Sequence, residues 1–252
     1  MQELVSFRRY QEWFVTRNLA TNLRYILCVG IPTLIVLLLG VEFEDWFFGI
    51  IWLLLSLFVL TYAVEIYDSD LVLDEQITWL RALTDEDVLA DVVQRHEDFL
   101  ATTIYELFQS IVPVLFWFLV VGPAGAVFYA LSVRYLDSLD LDDPEVDLLE
   151  QVIHWTDWIP ASITGLLFAL VGNFGRGFEY WLETFLDTEE SNAVHLQNLA
   201  LIVVDDDRNA EEDNVVGFAQ SAEQQLNKLR TLFERTVYGW VGIAALVAII
   251  GW

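Results

Sequence analysis

Long apolar runs separated by charged stretches dominate the pattern of this chain. From Ile111 to Val133 no residue is charged, and a bilayer span needs about 20 apolar residues. The centre of this run reads Gly122-Pro123-Ala124-Gly125, which a water-soluble core helix tolerates poorly because proline removes a backbone hydrogen bond. Irregular backbone at membrane depth requires cover from neighbouring helices or a cavity. The pattern therefore predicts a membrane segment with a kink or a reversal inside a small helical bundle.

Other apolar runs extend this prediction to the whole chain. The predicted spans are, in order, about 25–41, 46–66, 109–133, 159–175 and 236–252. Hydrophobic residues make up 56% of the sequence, which also contains 10 tryptophans, and this is more apolar than an ordinary soluble domain. We predict one all-α integral membrane domain over residues 1–252, with four or five transmembrane helices and one of them broken at Gly122–Gly125.

The segments between the spans have helical periodicity. Leu73, Ile77 and Leu80 recur at helical spacing within residues 68–104, and a similar pattern fills residues 182–235. Both segments are predicted to be amphipathic cytoplasmic helices. The opening residues 1–24 mix arginines with aromatic residues, which predicts either an interfacial helix on the inner leaflet or a charged leader that only orients the first span.

Two helix starts are visible in the polar segments. Thr84 and Asp87 have the spacing of an acidic capping box, so a helix is predicted to begin at Asp85. Asn214 is placed to cap a helix that leads into the last span.

The scarce basic residues indicate orientation. Arg8, Arg9, Arg17 and Arg24 precede the first span, so the positive-inside rule predicts a cytoplasmic N-terminus. The turn at Glu42–Asp45 is then external. Residues 135–157 are external if the broken segment crosses the membrane, and cytoplasmic if it turns back at Gly122–Gly125.

The net charge limits the classes of partner. The chain has 12 basic and 38 acidic residues, for a formal net charge of −26. Nucleic-acid binding is excluded because no basic patch can neutralise phosphates. Such acidity is typical of solubility in salt or of compositional bias. The alternative, more specific interpretation is a cation-binding role. The lipid bilayer is the predicted partner.

Recognised soluble-enzyme motifs are absent from the sequence. The histidines His96, His154 and His195 are far apart, and the acidic run from Asp140 to Asp147 lacks the order of an EF-hand. No metal, no cofactor and no catalytic residue is predicted. Polar positions near the ends of the spans are the candidates for function: Glu106, Gln109, Arg134, Asp157, Asn173 and Arg176.

A series of short motifs resembles the AmpE family of inner-membrane proteins. The motifs are P-V-L-F-W from Pro113, V-G-P-A-G-A from Val121, D-W-I-P from Asp157 and G-L-L-F-A-L-V-G from Gly165. The likeness covers roughly residues 70–252, and the positions that carry it are Pro113, Gly122, Pro123, Gly125, Pro160, Gly165 and Gly172. It implies a signalling modulator linked to β-lactamase induction and the response to cell-wall stress.

AmpE-like proteins are distantly similar to the CobD/CbiB membrane proteins, which form an amide bond in cobalamin biosynthesis. At the positions of that family's polar residues this chain has Ile104, Tyr105 and Phe108, and Ser162 replaces an arginine. An ATP- and Mg-dependent synthetase needs carboxylates and cations at such places.

We therefore predict a multi-pass inner-membrane regulatory protein rather than an enzyme, whose cytoplasmic helices are read by a protein partner. The alternatives are a CobD/CbiB-like membrane synthetase and a small membrane scaffold or transporter.

Overall fold

The fold was analysed in a computed structural model of the chain. The residues described are 21–43, 69–84, 87–140, 142–188, 190–204 and 214–250. Within these ranges all regular secondary structure is helical, which confirms the all-α prediction. The predicted span 46–66 and residues 1–20 of the predicted leader lie outside the described residues.

The helices follow one another through short connections. In chain order they are α1 (Thr21–Tyr25), a π-helical stretch (Ile26–Gly30), α2 (Ile31–Phe43), α3 (Ser69–Arg81), α4 (Leu89–Val121), α5 (Pro123–Asp137), α6 (Val146–Val171), α7 (Phe174–Thr184), α8 (Asn192–Val204) and α9 (Val215–Ile250).

The chain forms two compact units, and two helices contribute to both. Unit 1 comprises Met1–Glu65 and Pro113–Asp157, and unit 2 comprises Ile66–Val112 and Trp158–Trp252. The boundaries fall inside α4 and inside α6.

Three of the described helices are long and apolar enough to cross a membrane. They lie at Leu23–Gly40, Leu89–Val121 and Val215–Ile250. The first overlaps the predicted span 25–41 over residues 25–40, and the last overlaps the predicted span 236–252 over residues 236–250. The predicted span 109–133 is not one helix, because α4 ends at Val121 and α5 begins at Pro123. The predicted span 159–175 is not among the three, and α6 ends inside it, at Val171.

Unit 1 is built around the first of these helices. The π-helical stretch and α2 both pack against α5. A buried cluster of Cys28, Val29, Tyr135 and Leu149 joins the start of this helix to the end of α5 and the start of α6. One buried cluster of unit 1 thus lies at the N-terminal end of the first membrane helix.

Unit 2 contains a polar helical bundle that continues into an apolar helix. Ion pairs hold α3 against α9, from Arg81 to Glu223 at 2.5 Å and from Arg230 to Asp74 at 2.5 Å. Asp74, the earlier residue of α3, pairs with Arg230, the later residue of α9, and Arg81 pairs with the earlier Glu223. Helices α3 and α9 are therefore antiparallel. Helix α9 then runs without a break to Ile250.

The predicted helix starts are partly confirmed. The Asn214 side chain accepts a hydrogen bond from the Gly217 N–H at 2.7 Å and caps α9 as predicted. The Asp87 carboxylate accepts the Thr84 N–H at 2.8 Å. The predicted first residue, Asp85, lies outside the described residues, and α4 begins at Leu89. The capping contact therefore closes a turn before the helix instead of starting the helix itself.

Candidate functional site

Among the described residues of unit 1, a buried ion pair joins Arg24 to Glu145. Arg24 is the next-to-last residue of α1, which leads directly into the π-helical stretch, and Glu145 directly precedes α6. The Arg24 Nε donates to Glu145 Oε1 at 2.5 Å. Glu145 is 0% exposed, and its backbone carbonyl accepts the first hydrogen bond of α6 from Leu149 at 3.0 Å. The start of α6 is thus fixed to the start of the first membrane helix.

A tyrosine on α5 completes the environment of this carboxylate. The Tyr135 hydroxyl donates to Glu145 Oε2, and the Tyr135 side chain is 2% exposed. Burial, followed by the hydrogen bond to Glu145, raises the pKa of Tyr135 above its ordinary value. The phenol therefore keeps the proton that it donates.

A second pair of hydroxyl groups lies beside the first. Ser132 donates its proton to the Phe128 carbonyl at 2.8 Å, so the Tyr25 hydroxyl is the donor in its 2.9 Å contact with Ser132. The rings of Tyr25 and Tyr135 are 6.1 Å apart. The π-helical stretch starts directly after Tyr25, and π-turns inside α-helices often occur at functional sites.

These five residues, Arg24, Tyr25, Ser132, Tyr135 and Glu145, form what we call the Arg24–Glu145 cluster. Both carboxylate oxygens are engaged, one by the guanidinium and one by the phenol. A buried carboxylate without such partners would carry a large desolvation cost. Because its oxygens are used internally, the cluster is suited to holding helices together and not to binding a metal ion or attacking a substrate.

No pattern in the sequence links Arg24 with Glu145. Arg24 was a topology signal, and Glu145 was one acid in the run from Asp140 to Asp147. The structure separates that run, since Asp140 and Asp142 are exposed while Glu145 is buried. The available signal was local: Glu145 follows Pro144 and lies directly before the start of α6.

The predicted break lies at Gly122. This residue has φ 80°, a conformation that side-chain-bearing residues rarely adopt, and Pro123 starts the next helix without a backbone donor to satisfy. A Cβ on Gly125 would lie 2.5 Å from the backbone oxygen of Trp117. The two helix ends therefore approach each other more closely than any residue but glycine allows.

The contacts beyond the break show that the chain reverses direction. Val114 shares a buried cluster with Ala126, Tyr129 and Ala130. Along a continued straight helix, Val114 and Tyr129 would be about 22 Å apart at 1.5 Å per residue. Their contact requires the end of α4 and α5 to form an antiparallel hairpin. The Trp117 indole also donates to the Thr156 carbonyl at 3.1 Å and ties this hairpin to α6.

Two motif glycines in unit 2 mark a second close approach. A Cβ on Gly165 would lie 2.8 Å from Leu199, and a Cβ on Gly172 would lie 2.8 Å from Val203. These partners are one turn apart on α8. The Trp181 indole donates to the Ser162 carbonyl at 2.8 Å, so the Ser162 backbone takes part in packing α7 on α6. The G-L-L-F-A-L-V-G motif therefore acts in helix packing.

The predicted polar positions are distributed over several elements. Asp157 is buried, Gln109 and Arg134 are half-buried, and Glu106, Asn173 and Arg176 are exposed. Asn173 caps α7 by accepting the Arg176 N–H at 3.4 Å, and Gln109 donates to the Tyr105 hydroxyl at 3.0 Å.

The described residues contain no group of three or more His, Cys, Asp or Glu side chains placed to hold a metal ion. His96 contacts Gln225 at 3.1 Å in the bundle of unit 2. Burial lowers the pKa of His195, whose Nδ1 is 3.9 Å from Glu190. Ile104 and Phe108, which the distant synthetase resemblance aligns with polar positions, are each 1% exposed in the apolar core.

Comparisons with known proteins agree with the motif-based resemblance. A family model described as "Regulatory signalling modulator protein AmpE" matches residues 4–232. No curated protein and no solved structure matches the chain.

Proposed function

Because the chain belongs to the AmpE family of regulatory signalling modulators, we propose that it is a multi-pass protein of the bacterial inner membrane that modulates β-lactamase induction and the cell-wall stress response. The family match over residues 4–232 carries this proposal. Three helices with the length and apolarity of membrane spans support the membrane location.

The element that changes packing in this proposal is the Arg24–Glu145 cluster together with the Gly122 turn. Regulation needs two discrete arrangements of a packed element that a signal can bias. The polar contacts of the cluster lie together at one end of the first membrane helix. Two of them share the Glu145 carboxylate, so loss of one leaves a carboxylate oxygen without its partner. In this proposal the buried ion pair favours one specific arrangement of the helices over competing ones.

The output in this proposal is the polar bundle of unit 2. Its helix α9 is continuous from Val215 to Ile250, so a displacement of the apolar part can be transmitted to the part that contacts α3. The Arg81–Glu223 pair lies on the outside of this bundle, with the Arg81 side chain 65% exposed. We propose that a protein partner reads this surface.

We further propose that residues 138–145 lie on the same side of the membrane as Arg24. Arg24 is at the N-terminal end of the candidate span Leu23–Gly40, and its contact with Glu145 requires the two groups to have the same depth in the bilayer. The hairpin at Gly122 supports this, because it returns the chain to the side from which α4 approached. By the positive-inside rule this side is cytoplasmic.

Complementation of a deletion strain tests the proposed function. We expect deletion of the gene to change the ratio of induced to uninduced β-lactamase activity after a β-lactam challenge, and the wild-type gene to restore it. A Glu145→Gln variant should fail to restore the ratio although it reaches the membrane, because it removes the charge that holds Arg24. The matched control is Glu150→Gln, since Glu150 is an exposed acid on the same helix.

Two measurements separate loss of regulation from loss of protein. Immunoblots of the membrane fraction give the amount of each variant, and a variant present at the wild-type level is compared directly. An unchanged induction ratio in the deletion strain would refute the regulatory role. Restoration by Glu145→Gln to the wild-type ratio would refute the part assigned to the cluster.

A further inference from the structure

A pocket in unit 2 lies where the apolar part of α9 begins. Its volume is about 450 Å³, within the range of sites that bind small ligands. The ends of α6 and α8 contribute Val171 and Val203, and α9 contributes Asn227, Lys228, Thr231 and Arg235. The pocket therefore has apolar walls on two sides and cations on the third.

The charges of this pocket are unusual for the chain. Only 12 of the 252 residues are basic, against 38 acids, and Lys228 is the single lysine in the sequence. Arg235 donates to the Val171 carbonyl at 3.4 Å and contacts no carboxylate among the residues that the structure describes. Arg24, Arg81 and Arg230, by contrast, each pair with an acid.

The two neutral polar residues of the pocket, Asn227 and Thr231, form hydrogen bonds within α9. Asn227 donates to the Glu223 carbonyl at 2.9 Å, and Thr231 donates to the Asn227 carbonyl at 3.1 Å. One N–H of Asn227 and the hydroxyl proton of Thr231 are thus used within α9. An arginine retains several N–H groups after a single long hydrogen bond, and its planar guanidinium can bind two phosphate oxygens at once.

The surface that follows Arg235 indicates where the anion comes from. Past this residue α9 presents exposed apolar side chains, including Tyr238 at 75%, Val241 at 57% and Ile249 at 80%. In a bilayer such a surface is covered by acyl chains. The pocket at its polar edge then lies at the level of the lipid headgroups, where basic pockets between helices bind anionic lipids.

We propose that Lys228 and Arg235 bind the phosphate of an anionic phospholipid whose acyl chains lie along the apolar part of α9. Phosphate is the chemistry that these cations recognise, and the adjoining apolar surface selects a lipid over a soluble phosphate. The site is separate from the Arg24–Glu145 cluster, and its test does not depend on the regulatory role.

Thermal unfolding of the full chain in lipid nanodiscs tests the proposal. Nanodiscs of phosphatidylcholine are compared with nanodiscs that contain increasing phosphatidylglycerol, and the midpoint temperature gives an apparent affinity for the anionic lipid. We expect phosphatidylglycerol to raise the midpoint of the wild type. The double variant Lys228→Gln/Arg235→Gln should bind it roughly 30-fold more weakly, at about fivefold for each basic residue near a membrane surface.

Three further samples make the result specific. Arg176→Gln removes an exposed arginine elsewhere in unit 2 and should respond to phosphatidylglycerol as the wild type does. Arg235→Lys keeps the charge and should retain most of the response. Glycerol 3-phosphate added to phosphatidylcholine nanodiscs should not reproduce it.

Several outcomes would overturn the proposal. An equal response of the wild type and the double variant would exclude the two cations, and an equal loss in Arg176→Gln would indicate nonspecific charge. Full stabilisation by glycerol 3-phosphate would assign the pocket to a soluble phosphate. If the double variant does not fold in phosphatidylcholine, the single variants Lys228→Gln and Arg235→Gln are measured instead, and an undiminished response in both contradicts the site.

Discussion

A fully buried carboxylate such as Glu145 is stable only if its environment replaces the water that it loses. Here the guanidinium of Arg24 and the hydroxyl of Tyr135 take one oxygen each. Removing one partner of a buried ion pair costs about 3–5 kcal/mol, since the other charge stays buried without compensation. The two contacts are therefore expected to differ in strength, with the charged one larger.

The weaker contact gives the first prediction. Tyr135→Phe removes the hydroxyl that donates to Glu145 and keeps the ring. Hydrogen bonds to charged groups contribute about 1.5–3 kcal/mol, so we expect the free energy of unfolding to fall by that amount. The measurement is denaturant unfolding in detergent micelles, followed by tryptophan fluorescence.

Tyr238→Phe is the matched control, because Tyr238 is 75% exposed on α9 and should change stability by less than about 0.5 kcal/mol. Equal effects of the two substitutions would contradict the buried hydrogen bond to Glu145.

The sequence alone does not predict which residues form these buried polar contacts. Arg24 and Glu145 are separated by 121 positions, and no periodicity or motif connects them. Local signals predicted contacts of short range well, as at Asn214, whose side chain caps α9. Long-range polar pairs depend on how the helices pack, and a single sequence contains no direct record of that.

Among the elements, the hairpin of α4 and α5 depends on two glycines for different reasons. Gly122 supplies a positive φ, and nothing lies within 4 Å of the position its Cβ would take. Gly125 supplies space, since its missing Cβ would meet backbone atoms of Trp117. The strain at the first position is conformational, and at the second it is steric.

The close approach at Gly125 gives a second prediction. Gly125→Ala should lower the free energy of unfolding by about 1–3 kcal/mol, the usual cost of overpacking a well-packed site. A backbone oxygen at 2.5 Å cannot move aside as a flexible side chain would. Urea or guanidinium unfolding of the purified protein gives the difference.

Gly242→Ala is the control in α9, where nothing lies within 4 Å of the added Cβ. This exposed helical position should become more stable by up to about 1 kcal/mol, because alanine favours helix over glycine. A destabilisation of similar size at both positions would argue against the close approach at the hairpin.

The elements also show which features of the fold could be predicted. Gly122-Pro123 predicted a break at the observed position, since proline and glycine act through their own backbone geometry. The direction of the chain after the break could not be predicted, because it follows from the contact of Val114 with Tyr129. The shift of the α4 start from Asp85 to Leu89 likewise shows that a capping contact can form outside a helix.

For the molecule as a whole, the excess of acids determines how the few bases are used. Arg24, Arg81 and Arg230 each pair with an acid more than 100 positions away in sequence, at separations of 121, 142 and 156. Each of these pairs joins elements within one unit. Like-charged acids on the surface repel one another, and salt at 0.1 M screens that repulsion between charges more than about 10 Å apart.

The sidedness of the membrane topology is the last prediction, and it follows from the Arg24–Glu145 pair. Single cysteines are introduced in a Cys28→Ala background at Gln2, Asp142 and Asp45, and a membrane-impermeant thiol reagent is applied to intact cells and to inverted vesicles. We expect cysteines at positions 2 and 142 to be labelled from the same side, because the ion pair requires Arg24 and Glu145 to lie at the same depth in the bilayer. The cysteine at position 45 should be labelled from the opposite side, since a span lies between it and Arg24.

If position 142 is labelled together with position 45, α5 does not return to its starting side and the hairpin in the membrane is refuted. Labelling of position 142 with position 2 from outside the cell would keep the hairpin and reverse only the orientation that the arginines predict.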